Sequence, residues 1–109
     1  MPITTEQREV LIESAVRRDG RKCWLCDAPF EPSGRLRLTL EHLTPRSHGG
    51  TDEPENIYLA HAECNELLGD MTRREKVRFR RSLRGAVRPK SPLPAWHRSN
   101  PTTQQGPNP

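Results

Sequence analysis

Two pairs of side chains with identical spacing could hold a metal ion. Cys23 and Cys26 stand in "CWLC", and His61 and Cys64 stand in "HAEC". A structural zinc ion takes four thiolate or imidazole ligands, usually from two closely spaced pairs. Three cysteines cannot all pair within the chain, so a disulfide framework is the weaker interpretation. The sequence predicts a closed structural zinc site; the alternative is free thiols beside an ordinary polar histidine.

A second set of polar residues has types that suit phosphodiester hydrolysis. Glu41 adjoins His42, Asn56 follows the loop "TPRSHGGTDEPE", and Asn65 follows Cys64 directly. Carboxylate and amide oxygens suit a hard ion such as Mg²⁺ or Mn²⁺, and a neutral imidazole can accept a proton. Such a cation neutralises charge on a scissile phosphate while a water is activated. Taken singly, Asn56 could be a turn former and Asn65 a residue that hydrogen-bonds at a helix start.

The stretch "LEHLTPRSHGGTDEPENIYLAHAECN" resembles the HNH endonuclease family. That family has an acidic residue or His before a His, then Pro, a Gly-Gly turn, an Asn and a final His or Asn. The resemblance covers roughly residues 23 to 70. It implies that His42 is the general base, that Glu41 and Asn65 bind the catalytic metal, and that Asn56 holds the loop and orients the catalytic His.

The resemblance also implies a fold, and the chain departs from the family's residue pattern at two positions. Family members use a ββα-metal hairpin and helix, which would put Glu41 and His42 on the first strand and Asn65 on the helix. Many members have Asp or His where this chain has Glu41, and Cys is more common at the knuckle position of His61. The expected fold is therefore α+β, a small zinc-stabilised ββα-metal domain with an N-terminal helix and a C-terminal basic helix.

The function implied by the resemblance is a divalent-metal-dependent endonuclease that hydrolyses DNA. Its cofactors would be a structural Zn²⁺ and a catalytic Mg²⁺ or Mn²⁺. One alternative is a non-catalytic zinc-stabilised module that binds nucleic acid or a partner protein, which would give no reason for Glu41, His42 and Asn65. Another is a nuclease active only inside a larger packaging, restriction or repair complex.

The charge of the chain is unevenly distributed. Residues 1 to 70 carry 8 Lys and Arg against 13 Asp and Glu, whereas residues 71 to 98 carry 10 Lys and Arg against the single acid Glu75. A concentrated basic segment can displace counterions from nucleic acid phosphates; the alternative is a solvated helix surface. The residues predicted to contact nucleic acid are Arg73, Arg74, Lys76, Arg78, Arg80, Arg81 and Arg84.

The elements that must position these residues can be read from local patterns. Thr4 and Gln7 predict a capping box for a helix over about 5–19, which Gly20 ends. Alternating leucines predict a strand over 35–43, and 56–60 predicts a returning strand. A short helix ending at Gly69 follows. Thr72 and Glu75 predict a second capping box before a basic helix over about 73–84.

Length and composition bound the class of protein. With 109 residues and 31% hydrophobic content, the chain predicts one small domain over 1–88 that a metal helps to hold together. The proline-rich segment 89–109 is predicted to be disordered. The hydrophobic runs, such as "VLI", are far too short to span a membrane, so we expect a soluble, cytoplasmic protein with no membrane partner. His48 is expected to be solvated, and His97 is assigned no role.

Overall fold

The structure, a computed structural model, describes residues 2–86. The predicted disordered segment 89–109 and His97 within it lie outside the described residues. Three α-helices and two β-strands make up the described fold. They are α1 (Thr5–Asp19), β1 (Leu38–His42), β2 (Ile57–His61), α2 (Ala62–Leu68) and α3 (Arg73–Ala86). The predicted α+β fold, with an N-terminal helix and a C-terminal basic helix, is confirmed.

The two strands form an antiparallel hairpin in which His42 pairs with Ile57 and Leu38 pairs with His61. The first strand begins three residues later than the predicted 35, because Gly34–Leu36 forms a 3-10 turn. Gly34 opens this turn at φ 84°, a conformation that favours glycine. The hairpin places His42 at the loop end of the sheet and His61 at the opposite end.

Helix α1 begins with the predicted capping box. The Thr4 amide donates to Gln7 Oε1 at 2.8 Å, and the Gln7 amide donates to Thr4 Oγ1 at 3.1 Å. At the other end of α1, Arg18 donates to the carbonyls of Pro54 and Ile57, both at 3.0 Å. Since Ile57 opens β2, α1 is fastened to the start of that strand.

Helix α3 begins with the second predicted capping box and lies against the knuckle, residues 23–28. The Glu75 amide donates to Thr72 Oγ1 at 3.1 Å, and the Thr72 amide donates to Glu75 Oε1 at 2.8 Å. Further along, Arg80 Nε and Arg84 Nη2 donate to the Trp24 carbonyl at 2.7 and 2.8 Å. Two of the arginines of the basic helix are therefore used to hold the helix against the knuckle.

One cluster of the buried core surrounds the knuckle. Its members are Cys23, Leu25, Cys26, Ala28, Ala60, Cys64 and Leu68. Phe79 and Leu83 of α3 pack against this cluster. Among residues 2–86, none of the helices combines the length and apolar character needed to cross a bilayer.

Candidate active site and metal centre

The four predicted zinc ligands lie together. Cys23, Cys26, His61 and Cys64 are all buried, and one ligand atom from each lies within 4.8 Å of the others. The cysteines form no disulfide. Hydrogen bonds from Cys26 and Cys64 hold the pKa of the Cys23 thiol well below its usual value, which favours the thiolate that binds metal. The group is compatible with a tetrahedral zinc ion.

The ring of His61 is oriented as a zinc ligand requires. Its Nδ1 lies 3.3 Å from Cys26 Sγ, inside the cluster, and its Nε2 lies 2.8 Å from the Pro29 carbonyl oxygen. A carbonyl only accepts, so Nε2 carries a proton, and Nδ1 is the nitrogen that faces the thiols. Such a contact from the second ring nitrogen fixes the tautomer of metal-binding histidines. The donor set and its orientation fit zinc.

Local backbone hydrogen bonds bring the two ligand pairs together. The knuckle closes through the Asp27 amide to the Cys23 carbonyl at 2.8 Å, with Asp27 at φ 69°. The Trp24 amide donates to Leu59 of β2 at 2.7 Å. His61 ends β2 and Cys64 lies in the first turn of α2, so the junction of strand and helix supplies the second pair.

His42 ends β1 and is held by a residue that sequence reasoning did not assign, Asp52. His42 Nε2 lies 2.7 Å from Asp52 Oδ1. Arg46 donates to both oxygens of Asp52, at 2.9 and 3.1 Å from Nη2. Hydrogen bonds from His42 and then Arg46 lower the pKa of Asp52, which keeps it ionised. A carboxylate only accepts, so His42 Nε2 carries the proton and its Nδ1 is free to accept another.

Asn56 ties together the two ends of the loop that carries Asp52. Its Oδ1 accepts from the Thr44 amide at 2.8 Å, and its Nδ2 donates to the carbonyls of Thr44 and Thr51 at 3.0 and 2.8 Å. Asn56 is 6% exposed. These side-chain hydrogen bonds all go to the loop, so through them Asn56 can orient His42 only by way of the loop. The role that the resemblance implies for Asn56 stays a prediction.

Glu41 lies in a buried ion pair with Lys76 of α3. Lys76 Nζ lies 2.5 Å from Glu41 Oε2 and 2.6 Å from the His42 carbonyl oxygen. The residues are 2% and 1% exposed. Burial raises the pKa of Glu41, and the Lys76 ammonium opposes that rise. The prediction that Lys76 contacts nucleic acid is corrected: its ammonium is inside the protein, neutralising Glu41.

Asn65 lies on α2 and reaches across β1. Its Nδ2 donates to Thr39 Oγ1 at 3.1 Å and to the Leu40 carbonyl at 2.8 Å. Thr39 and Glu41 are two residues apart on β1 and share one face, so Asn65 and Glu41 approach the same face of the strand. No hydrogen bond joins these two side chains in the part of the chain that the structure describes.

The donor types of this pair match a hard divalent ion, but the conformation does not fit one. A carboxylate and an amide oxygen are suitable ligands for Mg²⁺ or Mn²⁺. Glu41, however, is sealed from solvent, and its Oε2 is already bonded to an ammonium group. A divalent ion with its waters cannot bind the same oxygen while Lys76 stays in place.

The predicted nucleic-acid contacts divide into two groups on α3. Lys76, Arg80 and Arg84 face the protein, where Arg80 and Arg84 bond the knuckle carbonyls. The exposed residues of the set are Arg73, Arg74, Arg78 and Arg81. Positions 74, 78 and 81 recur at helical spacing and share a face. The stripe available to a phosphate backbone is therefore narrower than the seven residues that the sequence predicted.

His48 is exposed, as expected, and it also bridges two segments. Its Nε2 lies 2.9 Å from the Asp70 carbonyl oxygen in the connection between α2 and α3. This contact links the loop after β1 to the chain that leads into the basic helix. It gives His48 a structural partner on the surface.

One comparison with known proteins finds a family model that matches the segment carrying the site. Residues 23–70 match the family model described as HNH endonuclease. No curated protein and no solved structure matches the chain. The resemblance to the HNH endonuclease family is confirmed over this segment. The domain indicates a nuclease-type function and the use of metal.

Proposed function

We propose that the chain is an HNH endonuclease that hydrolyses DNA phosphodiester bonds with His42 as the general base. One observation carries the proposal: within the HNH domain, the proton of His42 Nε2 is committed to Asp52 at 2.7 Å. Nδ1 is then the nitrogen with a lone pair. The side chain of His42 is 19% exposed, so the ring is within reach of water and substrate.

In the proposed reaction, His42 Nδ1 accepts a proton from a water molecule as its oxygen attacks phosphorus. The bond between phosphorus and the 3′-oxygen breaks, and the departing 3′-oxygen takes a proton from solvent water. The products carry 5′-phosphate and 3′-hydroxyl ends, as in the family that the chain resembles. Asp52 stabilises the imidazolium that forms and keeps the ring in place. Arg46 holds Asp52 from the other side, so it positions the ring through a second residue.

We propose two metal roles. Zn²⁺ would be structural, at Cys23, Cys26, His61 and Cys64. A Mg²⁺ or Mn²⁺ ion, implied by the resemblance at Glu41 and Asn65, would supply positive charge to the phosphate when bound. Since Lys76 holds Glu41 in the described conformation, no reaction step is assigned to that ion.

We propose DNA as the polyanion that binds the exposed arginines of α3. The stripe of Arg74, Arg78 and Arg81 would contact phosphates, which carry no sequence information, so we expect low sequence specificity. A monomer with one such site would nick duplex DNA. The reduced thiols of the cluster suit the cytoplasm. Action within a larger packaging, restriction or repair complex is compatible with the same site.

Cleavage of supercoiled plasmid tests this function. Wild-type protein, zinc-loaded and incubated with Mg²⁺ or Mn²⁺, is expected to convert supercoiled DNA to open circles, and EDTA is expected to stop the reaction. His42→Ala should abolish conversion. His48→Ala is the matched control, since His48 is an exposed histidine bonded only to the Asp70 carbonyl in the described chain, and it should cleave as wild type does. Equal cleavage by His42→Ala and wild type would contradict the proposal.

One observation favours a second candidate, a non-catalytic module that binds nucleic acid. The buried pair of Glu41 and Lys76 neutralises the carboxylate without any metal ion. A module of this kind would bind plasmid with full retention of the supercoiled form at every divalent ion concentration. Gel-shift binding by a folded, zinc-loaded protein without cleavage would therefore favour it over the enzyme.

A further inference from the structure

The ammonium group of Lys76 lies where a cation bound to Glu41 would lie. It contacts Glu41 Oε2 at 2.5 Å and the His42 carbonyl oxygen at 2.6 Å, and both acceptors belong to the end of β1. Carboxylate and carbonyl oxygens are also the groups that hard divalent ions bind. The ammonium group of Lys76 therefore occupies the oxygen ligands that a cation at this site would use.

Burial explains why a cation is required there. Glu41 is 2% exposed, and an unpaired carboxylate at such a position would be strongly destabilising. Lys76, itself 1% exposed, removes that cost with its own charge. It is held in register because the capping box of Thr72 and Glu75 fixes the first turn of α3. The Lys76 ammonium group is carried on a flexible four-carbon chain, so it can leave Glu41 while the helix stays folded.

We propose that Lys76 and a divalent cation compete for the carboxylate of Glu41. In the described conformation the ammonium group occupies the cation position, and Mg²⁺ or Mn²⁺ would bind only when Lys76 withdraws. The inference rests on the assignment of Glu41 as a metal ligand in the proposed function. It makes Lys76 a determinant of metal affinity and not a contact for DNA.

Binding of Mn²⁺ to the zinc-loaded full-length chain, without DNA, tests the competition. Titration followed by electron paramagnetic resonance gives the Kd for each variant. Lys76→Met should bind Mn²⁺ about tenfold tighter than wild type or more. Lys22→Met is the matched control: it removes the same ammonium from a half-exposed residue that pairs with Asp27, and its Kd should stay close to that of wild type. Zinc content and circular dichroism confirm that each variant is folded.

A double variant identifies the ligand. In Glu41→Gln/Lys76→Met the increase in Mn²⁺ affinity should disappear, because the carboxylate that Lys76→Met releases has been removed. Two results would overturn the competition: Lys76→Met no tighter than Lys22→Met, or a gain that survives Glu41→Gln.

A measurement on the wild type covers the case in which Lys76→Met does not fold. A buried ammonium group exchanges its protons slowly enough to be followed by ¹H–¹⁵N NMR. Addition of Mg²⁺ should remove or shift the Lys76 signal as the side chain moves into water. A signal that is unchanged at the highest Mg²⁺ concentration would overturn the proposal.

The two proposals can fail separately. Cleavage that needs Mn²⁺, together with a Kd that Lys76→Met leaves unchanged, would overturn the competition and leave the nuclease intact. Tighter Mn²⁺ binding by Lys76→Met in a protein that never cleaves DNA would support the competition and count against the nuclease.

Discussion

At the scale of single residues, the site depends on which nitrogen of His42 is protonated. Asp52 accepts from Nε2, and Arg46 keeps Asp52 in place with two hydrogen bonds from Nη2. A histidine whose second nitrogen is held by a carboxylate presents its remaining lone pair in a fixed direction. The proposed base is thus part of a chain of three side chains, of which two come from the loop that follows β1.

Removal of Asp52 should lower the rate of cleavage more than it weakens binding. Asp52→Ala is expected to reduce kcat by about 10- to 100-fold with little change in KM, since the ring loses its support but the DNA contacts stay. Asp52→Asn should lose less, because an amide oxygen can still accept from Nε2. Single-turnover and steady-state cleavage of a duplex oligonucleotide measure both constants.

The neighbouring acid is the control for this experiment. Glu53→Ala removes the same charge from an exposed side chain in the same loop and should cleave as wild type does. A loss in Glu53→Ala equal to that in Asp52→Ala would mean that loop charge matters and that the contact with His42 does not.

At the scale of elements, the loop after β1 is shaped by two glycines with different requirements. Gly49 has φ 85° and open space around it, whereas a Cβ on Gly50 would overlap the Thr44 carbonyl. The Gly50 amide also donates to the Pro45 carbonyl at 2.9 Å. The loop that carries Asp52 therefore passes close to its own backbone at Gly50.

These requirements predict unequal effects of alanine. Gly49→Ala should cost about 1–2 kcal/mol from its left-handed backbone alone. Gly50→Ala should cost more and should also reduce cleavage, since the backbone must move and take Asp52 with it. Urea unfolding of the zinc-loaded proteins, beside the cleavage assay, measures both effects. Equal stability of the two variants would contradict this account of the turn.

The outer stripe of α3 predicts the salt dependence of DNA binding. Arg78→Ala should weaken binding similarly for all sequences and reduce the slope of log K against log salt by about 1. Arg17→Ala removes the same charge from the exposed face of α1 and should leave the slope unchanged. Fluorescence anisotropy at several salt concentrations gives the slopes. Identical slopes for the two variants would contradict the proposal that α3 contacts DNA.

At the scale of the whole molecule, α3 connects the cluster of three cysteines and His61 with the buried Glu41. Arg80 and Arg84 fasten it to the knuckle carbonyls, and Lys76 fastens it to Glu41. The core that α3 covers consists largely of the predicted zinc ligands and their neighbours. Loss of the ion should therefore affect the fold and the site together.

Chelation tests that dependence. A structural zinc can contribute on the order of 10 kcal/mol to folding, more than a core of this size supplies. Treatment with a zinc-selective chelator, or Cys64→Ser, should abolish cooperative unfolding and much of the helical circular dichroism. Added Zn²⁺ should restore the chelated protein, and Mg²⁺ should not. Retention of the folded signal after verified zinc removal would contradict a structural role.

Local signals in the sequence were sufficient for most of the fold. Each of these signals lies within a short stretch of sequence. They are the spacing within each pair of zinc ligands, the two capping boxes and the alternation in β1. The HNH pattern placed His42 on the strand and Asn65 on the helix. These features are predictable because backbone geometry fixes them over a few residues.

The contacts that decide the chemistry were not predictable in this way. Lys76 is one cation in a basic run, and its burial depends on a partner 35 residues away in the chain. Asp52 is one of three acids in its loop, and only the folded loop brings it to His42. A helical projection would have separated positions 76 and 80 from the stripe of 74, 78 and 81, which was the available signal for the inward face of α3.

Cleavage of a short duplex in water enriched in ¹⁸O, with mass spectrometry of both products, tests whether His42 activates a water molecule to attack phosphorus. We expect one ¹⁸O atom in the 5′-phosphate of the downstream fragment, an unlabelled 3′-hydroxyl on the other, and no product from His42→Ala. Label in a 3′-phosphate, or labelled product at wild-type yield from His42→Ala, would contradict this mechanism.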